Sequence, residues 1–187
     1  MNRYMVLIFL LVGFVTAGNL LINADFEQDL SVGWQQSTLG IPYIITRNTA
    51  LQGDPDYEVM VHKGSGSGYA MLYQTVDIPE TDIGFACTAA LYGYDNTIGD
   101  WAAAAVIISY MNASGTTLGE TRICKYSDAD CPWSDSPTIH LIVAADNNWH
   151  TYSFNIDEEL NNLSGVNPLE VSKMQIALFD TSEWCAS

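Results

Sequence analysis

Apolar and polar residues alternate with a period of two along most of the chain and almost nowhere with a period of 3.6, the pattern of strands with one buried face. Tyr57-Glu58-Val59-Met60-Val61-His62 alternates, and Lys63-Gly64-Ser65-Gly66-Ser67-Gly68 interrupts it with a glycine-serine run. Tyr69 to Asp77 predicts the next strand, after which Ile78-Pro79-Glu80-Thr81-Asp82 turns the chain. Phe85 to Tyr94 predicts a third, with Phe85, Cys87, Ala89 and Leu91 on its buried side and Ala86, Thr88, Ala90, Tyr92 and Tyr94 opposite. A long apolar strand over Ala102 to Asn112 ends at the turn Asn112-Ala113-Ser114-Gly115, and further strands are predicted over 118–122, 139–144, 149–156 and 171–180. β-Branched and aromatic residues fill these runs, with Gly, Asn, Asp and Pro between them. Only Glu158 to Leu163 has the make-up of a helical turn. Many short strands joined by polar turns predict one all-β domain, an antiparallel β-sandwich of the jelly-roll kind.

The first 17 residues stand apart. Met1-Asn2-Arg3-Tyr4 is a short basic start, Met5 to Val15 is apolar apart from Gly13, and Val15-Thr16-Ala17 supplies the small residues of a cleavage site. The run is too short for a spanning helix, which needs ~20 apolar residues, so residues 1–17 read as a secretory signal peptide and 18–187 as the mature domain. No second apolar run of spanning length follows, and the expected location is secreted, extracellular or at the cell surface. Removing Arg3 with the leader leaves 5 Lys and Arg against 22 Asp and Glu, a net −17. Such a charge disfavours nucleic acid and anionic lipid as partners, because both require clustered cations.

Four cysteines remain: Cys87, Cys124, Cys131 and Cys185. In an exported chain an even count reads as disulfides, and four cysteines allow three connectivities. Cys124 and Cys131 flank a polar loop and form the natural local pair, which leaves Cys87 with Cys185. A zinc site is disfavoured by the absence of a Cys-x-x-Cys pair and the scatter of His62, His140 and His150.

Several segments, in order, resemble the galactose-binding-like β-sandwich of carbohydrate-binding modules of the cellulase and xylanase type. Asn23-Ala24-Asp25-Phe26-Glu27 followed by Gly33-Trp34 resembles the first strand and its exit. Ala50-Leu51-Gln52-Gly53 resembles the glycine turn before the second hairpin, and Tyr73-Gln74-Thr75-Val76-Asp77-Ile78-Pro79 the strand after it. Trp149-His150-Thr151-Tyr152-Ser153-Phe154 resembles a late strand, and Met174-Gln175-Ile176-Ala177-Leu178-Phe179 the penultimate one. The family's last strand, with its paired aspartates, has no counterpart before Ser187, so the chain is expected to be a fragment or to have lost that strand. The resemblance implies a structural Ca²⁺ at the rim, for which Glu27 and Asp54 are the matching positions, and a polysaccharide or glycan as ligand.

Sugar recognition in such modules uses aromatic rings, which stack on the C–H face of a pyranose while polar side chains read its hydroxyls. Tyr92 and Tyr94 beside small residues, with Asp95 and Asn96 just beyond, are candidates for a shallow sugar-sized floor. If Val106 and Ile108 face the core, Trp101 and Ser109 share the opposite face, which adds Trp101. The Cys124–Cys131 loop presents Tyr126 and Trp133 as a second candidate platform, while Trp34 and Trp149 sit in core-like frames. No catalytic apparatus is legible. Gly64-Ser65-Gly66-Ser67-Gly68 has the letters of a nucleophile elbow but lies between strands, and 22 acids scattered along the chain do not define a glycosidase pair. The chain therefore reads as a secreted, non-catalytic carbohydrate-binding domain, with an exported structural or adhesive sandwich that has no sugar site as the alternative.

Overall fold

The computed structural model describes residues 18–49, 55–94, 99–127 and 130–183. Among the described residues there are ten strands: β1 (Gln35–Leu39), β2 (Tyr43–Asn48), β3 (Glu58–Lys63), β4 (Gly68–Asp77), β5 (Gly84–Ala89), β6 (Trp101–Met111), β7 (Thr117–Tyr126), β8 (Ile139–Val143), β9 (His150–Asn155) and β10 (Lys173–Glu183). A six-stranded sheet runs in the order β1-β4-β10-β6-β7-β8, and β2-β3 and β5-β9 form two-stranded sheets. The all-β sandwich anticipated from the two-residue period is therefore the fold. A short helix α1 (Ile156–Leu160) begins slightly earlier than the expected turn, because the Asn155 side chain accepts from the backbone N–H groups of Asp157 and Glu158 and caps it there.

Three expectations need correction. The sheet is not wholly antiparallel, since β8 pairs with β7 in parallel; a parallel neighbour requires a crossover, and residues 127–138 supply it. The Asn19–Glu27 segment is not a strand. Asn23 and Phe26 take positive φ angles of 51° and 56°, and the Asn23 side chain gathers the segment by accepting from Gln28 N and donating toward the carbonyls of Gln28 and Asp29. The third strand stops at Ala89 instead of running to Tyr94. Neither β1 nor β2 was anticipated. The expected leader, residues 1–17, lies outside the described residues. The last described strand, β10, is paired on both sides, by β4 and β6.

The main core lies between the six-stranded sheet and the layer formed by β5, β9 and α1. Val106, Ile108 and Tyr110 of β6, Ile123 of β7 and Met174 and Ile176 of β10 meet Phe85, Ile156, Leu160 and Leu163. Each such side chain contributes about 1.5–3 kcal/mol on burial. The hairpin β2–β3 is anchored through two polar groups. The buried Asp180 carboxylate accepts the backbone N–H of Lys63 at 2.9 Å and lies 3.3 Å from His62 Nδ1. The Lys63 ammonium donates to the carbonyls of Gly64, Ser65 and Gly66, so a side-chain cation organises the glycine-serine loop. Burial pushes the Asp180 carboxyl up to about 6, against the opposing pull of the Lys63 N–H and His62.

Candidate binding groove

Strand alternation gives the six-stranded sheet a second face. Met71 of β4, Gln175, Ala177, Phe179 and Thr181 of β10, Trp101, Ile107 and Ser109 of β6, and Glu120 and Arg122 of β7 line a groove of about 270 Å³. Ala105 and Ala177 are buried beneath it, and their small side chains leave room for rings above the sheet. Trp133 enters from the crossover 127–138 and packs over that floor.

The rings form a connected row. Trp101 and Trp133 have centroids 6.5 Å apart, Trp133 and Phe179 6.2 Å, and Phe179 and Tyr69 5.7 Å. These spacings lie in the range of mutual aromatic contact. Trp101 donates its indole N–H to Glu183 Oε2 at 2.9 Å, and the Arg122 guanidinium carbon lies 4.8 Å from the Trp133 ring centroid, a cation–π arrangement. Arg122 is also held by Glu120, whose Oε2 accepts from Nε at 2.9 Å and Nη2 at 2.6 Å, while Ser109 Oγ donates to Glu120 Oε1 at 3.3 Å. The ion pair fixes the guanidinium and offsets its charge locally, and a guanidinium has five N–H donors to distribute. Beyond Trp101 the surface opens into a wider recess of about 420 Å³ lined by Gly99, Asp130, Pro132 and Glu183.

Of the sequence candidates, the structure brings Trp101 and Trp133 together. Tyr126 belongs to the same side, packed against the cluster of Ala105, Ile107, Cys124 and Ala177. Tyr92 and Tyr94 are exposed and do not line the groove; they follow β5, which pairs with β9 rather than β6. Their segment nevertheless touches the end of β7, because a Cβ placed on Gly93 would come 2.6 Å from the Tyr126 Cα. Asp95 and Asn96 lie outside the described residues. Phe179, Arg122, Glu120 and Gln175 were missed as site residues, although β10 and part of β7 were anticipated as strands.

Cys87 and Cys124 stand as thiols, so the expected Cys124–Cys131 bond is not formed in this structure. Cys185 lies outside the described residues. Cys87 packs against the main core, whereas Cys124 lies on the groove side; burial pushes the Cys87 thiol up to about 12.

For the expected Ca²⁺, no group of three or more His, Cys, Asp or Glu side chains converges among the described residues, and Asp54 lies outside them. Glu27 Oε1 accepts from the backbone N–H of Tyr57 at 3.0 Å. The neighbouring Glu58 is buried, and neither of its carboxylate oxygens meets a donor. An orphaned buried carboxylate is costly, and hard oxygen donors are what calcium takes; the Glu58 carboxylate is a donor of that kind.

No family model matches the chain, and no curated protein does. Solved structures with similarity to it include the enzymatically active domain of tailspike protein 4 from bacteriophage CBA120, at 15% identity and a TM-score of 0.46, covering 86% of this chain and 18% of that one. A carbohydrate-binding module of the β-sandwich superfamily matches at 11% identity and a TM-score of 0.44, covering 92% and 58%. The family 11 carbohydrate-binding module of the cellulase Lic26A-Cel5E of Clostridium thermocellum matches at 12% identity and a TM-score of 0.39, covering 87% and 90%. The chain thus spans less than two thirds of the first two. Similarity this distant does not bear on function, which rests on the groove itself. No helix among the described residues is long and apolar enough to cross a membrane.

Proposed function

We propose that this chain is a secreted, non-catalytic domain that binds a polysaccharide in the groove across its six-stranded sheet. The observation that carries the reading is the row Trp101–Trp133–Phe179–Tyr69 on a floor of small side chains, edged by Arg122, Glu120, Gln175 and Ser109. Rings grouped in a groove suit the apolar faces of successive sugars, and the fixed polar groups suit their hydroxyls. A flat polar face would have favoured the structural or adhesive alternative. The carboxylate of Glu120 is committed to Arg122, which supports binding over acid-base chemistry at that position.

The test is titration of the mature chain with soluble xylan, mixed-linkage β-glucan, mannan and cello-oligosaccharides, read by tryptophan fluorescence. A saturable change with one glycan class, lost in Trp101→Ala, supports the proposal. No change with any glycan in a well-folded protein would leave the structural role.

We further propose a structural Ca²⁺ beside Glu58, whose charge would compensate that orphaned carboxylate. Thermal unfolding should then rise with Ca²⁺ and fall with chelator, and Glu58→Gln should abolish the difference. Unfolding indifferent to both additions would exclude the ion.

A further inference from the structure

We infer that Glu120 determines which class of polysaccharide the groove accepts: through its bond to Arg122 it closes the groove to chains of uronic acids and leaves it open to neutral ones. The inference rests on the glycan reading of the groove and adds to it the residue that sets the charge of the ligand.

Cations are scarce in this chain, and most of the described ones are engaged away from the groove. Arg47 donates to the carbonyl of Phe26 and lies over the Tyr57 ring. Lys63 holds the glycine-serine loop, Lys125 donates to the carbonyls of Ala144 and Ala145, and Lys173 pairs with Asp77. Among the described residues, Arg122 is the one cation that lines the groove and Glu120 the one carboxylate.

The two lie two residues apart on β7, so their side chains leave the same face of the sheet. Glu120 Oε2 accepts from Arg122 Nε and Nη2, while Oε1 accepts from Ser109 Oγ. Side-chain exposures of 18% for Arg122 and 22% for Glu120 leave both within reach of a ligand. Of the five guanidinium N–H groups, those on Nη1 and one on Nη2 have no acceptor among the described residues. The Trp133 ring beneath the guanidinium carbon fixes the plane in which they point.

The pair therefore presents hydrogen-bond donors directly beside an acceptor. A neutral sugar complements both, because one hydroxyl can accept from Nη1 while its neighbour donates to Glu120. A uronate complements only the donors, and its carboxylate would meet a guanidinium that already carries the Glu120 carboxylate. Like charges brought together in this way repel. No second cation lines the groove to offset them, and 22 Asp and Glu against 6 Lys and Arg add a field of the same sign. A uronic acid polymer carries a charge on every ring, so the repulsion is repeated along the row.

Without the Glu120 charge the same geometry has a different preference. Arg122 would still lie over Trp133, with its Nε and Nη groups available as the two-pronged fork that guanidinium offers a carboxylate. Glu120 thus acts by exclusion, and its removal should admit a ligand class rather than merely weaken an existing one.

The experiment is calorimetric titration of the whole mature chain at low salt. Xylan and mixed-linkage β-glucan are the neutral probes, and polygalacturonate and alginate the uronate probes. The wild-type chain should bind a neutral probe at least about tenfold more tightly than either uronate. Glu120→Gln should raise uronate affinity by about tenfold, and adding Arg122→Gln to it should remove that gain. Glu80→Gln removes the same charge from an exposed turn outside the groove and should leave the preference as it was. Should Glu120→Gln not fold, the wild-type chain decides through salt, which screens the repulsion: uronate affinity should rise relative to neutral affinity, and a relative fall overturns the inference. Uronates held as tightly as neutral glycans by the wild-type chain also overturn it. So does a preference that Glu120→Gln leaves unmoved or that Glu80→Gln shifts equally; in each of these cases the glycan reading of the groove stands. Binding of neither class by any of these chains overturns that reading, and the role of Glu120 with it.

Discussion

Strand β6 puts Val106, Ile108 and Tyr110 on one side of the sheet and Trp101, Ile107 and Ser109 on the other. β10 divides in the same way, with Met174 and Ile176 against Gln175, Ala177 and Phe179. One side is a buried, largely apolar interior covered by β5, β9 and α1. The other is an open row of rings with an ion pair at its edge. The difference teaches that the same backbone carries two independent chemistries, because strand residues two apart share a face and adjacent ones do not. Stability should reside mostly in the first set and ligand binding mostly in the second.

The hardest test of that division is a deletion in the interior. Ile108 is completely buried, and Ile108→Ala should cost about 2–5 kcal/mol in urea unfolding. The fraction that remains folded should bind glycan with wild-type affinity. A loss of affinity in the folded fraction would show that the two faces are mechanically coupled.

Asp180 tests the interior from its polar end. It lies on the core side of β10 opposite Ala104, with Lys63 N and His62 as its partners. Because burial raises its folded pKa to about 6 from the usual 3.8, the native state holds this proton more tightly than the unfolded chain does. The resulting stability is fully present below the unfolded value and is lost as pH rises through about 6. The shift corresponds to roughly 3 kcal/mol at most. Asp180→Asn should flatten the fall in stability between about pH 4 and pH 7, measured by urea unfolding; an unchanged pH profile would place the titration elsewhere. Glycan affinity should stay the same in this variant, since Asp180 faces away from the groove.

On the other face, Trp133→Ala should weaken glycan binding by about 2 kcal/mol or more, as removal of a central aromatic does. The accompanying loss of stability should be smaller than that of Ile108→Ala, because Trp133 is only partly buried. Calorimetric titration and urea unfolding on the same preparation would separate the two quantities. Equal losses in both would make Trp133 a structural ring.

How much of this was legible in the sequence follows from the range of the interactions. The phase of β6 could be read locally, so Trp101 and Ser109 were placed on one face from alternation alone. Trp133 could be singled out as an aromatic just past the loop between Cys124 and Cys131. Phe179, Arg122 and Glu120 join the site only because β10 inserts between β4 and β6 and β7 lies on the far side of β6. That strand order is a long-range property with no local signal. Gln35-Gln36-Ser37-Thr38-Leu39 escaped notice because β1 is mostly polar, and its pairing with β4 depends on the partner more than on its own pattern. The opening segment misled in the opposite sense. Its resemblance to the family's first strand suggested a strand, but the Asn23 side chain supplies hydrogen bonds that fold the backbone into turns.

The smallest expected effect lies at Tyr92 and Tyr94, where the two regions come nearest to meeting. Both rings are well exposed, at 61% and 78%, and they follow a strand of the opposite layer. Yet the intervening Gly93 sits directly against Tyr126, whose ring packs on the groove side. Replacing both tyrosines with alanine should change stability by less than about 0.5 kcal/mol, as for exposed positions generally. If the ligand is confined to the row from Trp101 to Tyr69, affinity should change as little. A loss of tenfold or more, about 1.4 kcal/mol, would mean that the bound chain continues past Tyr126 onto these rings. The division between faces would then hold for the strands but not for the end of the sheet where Gly93 crosses β7.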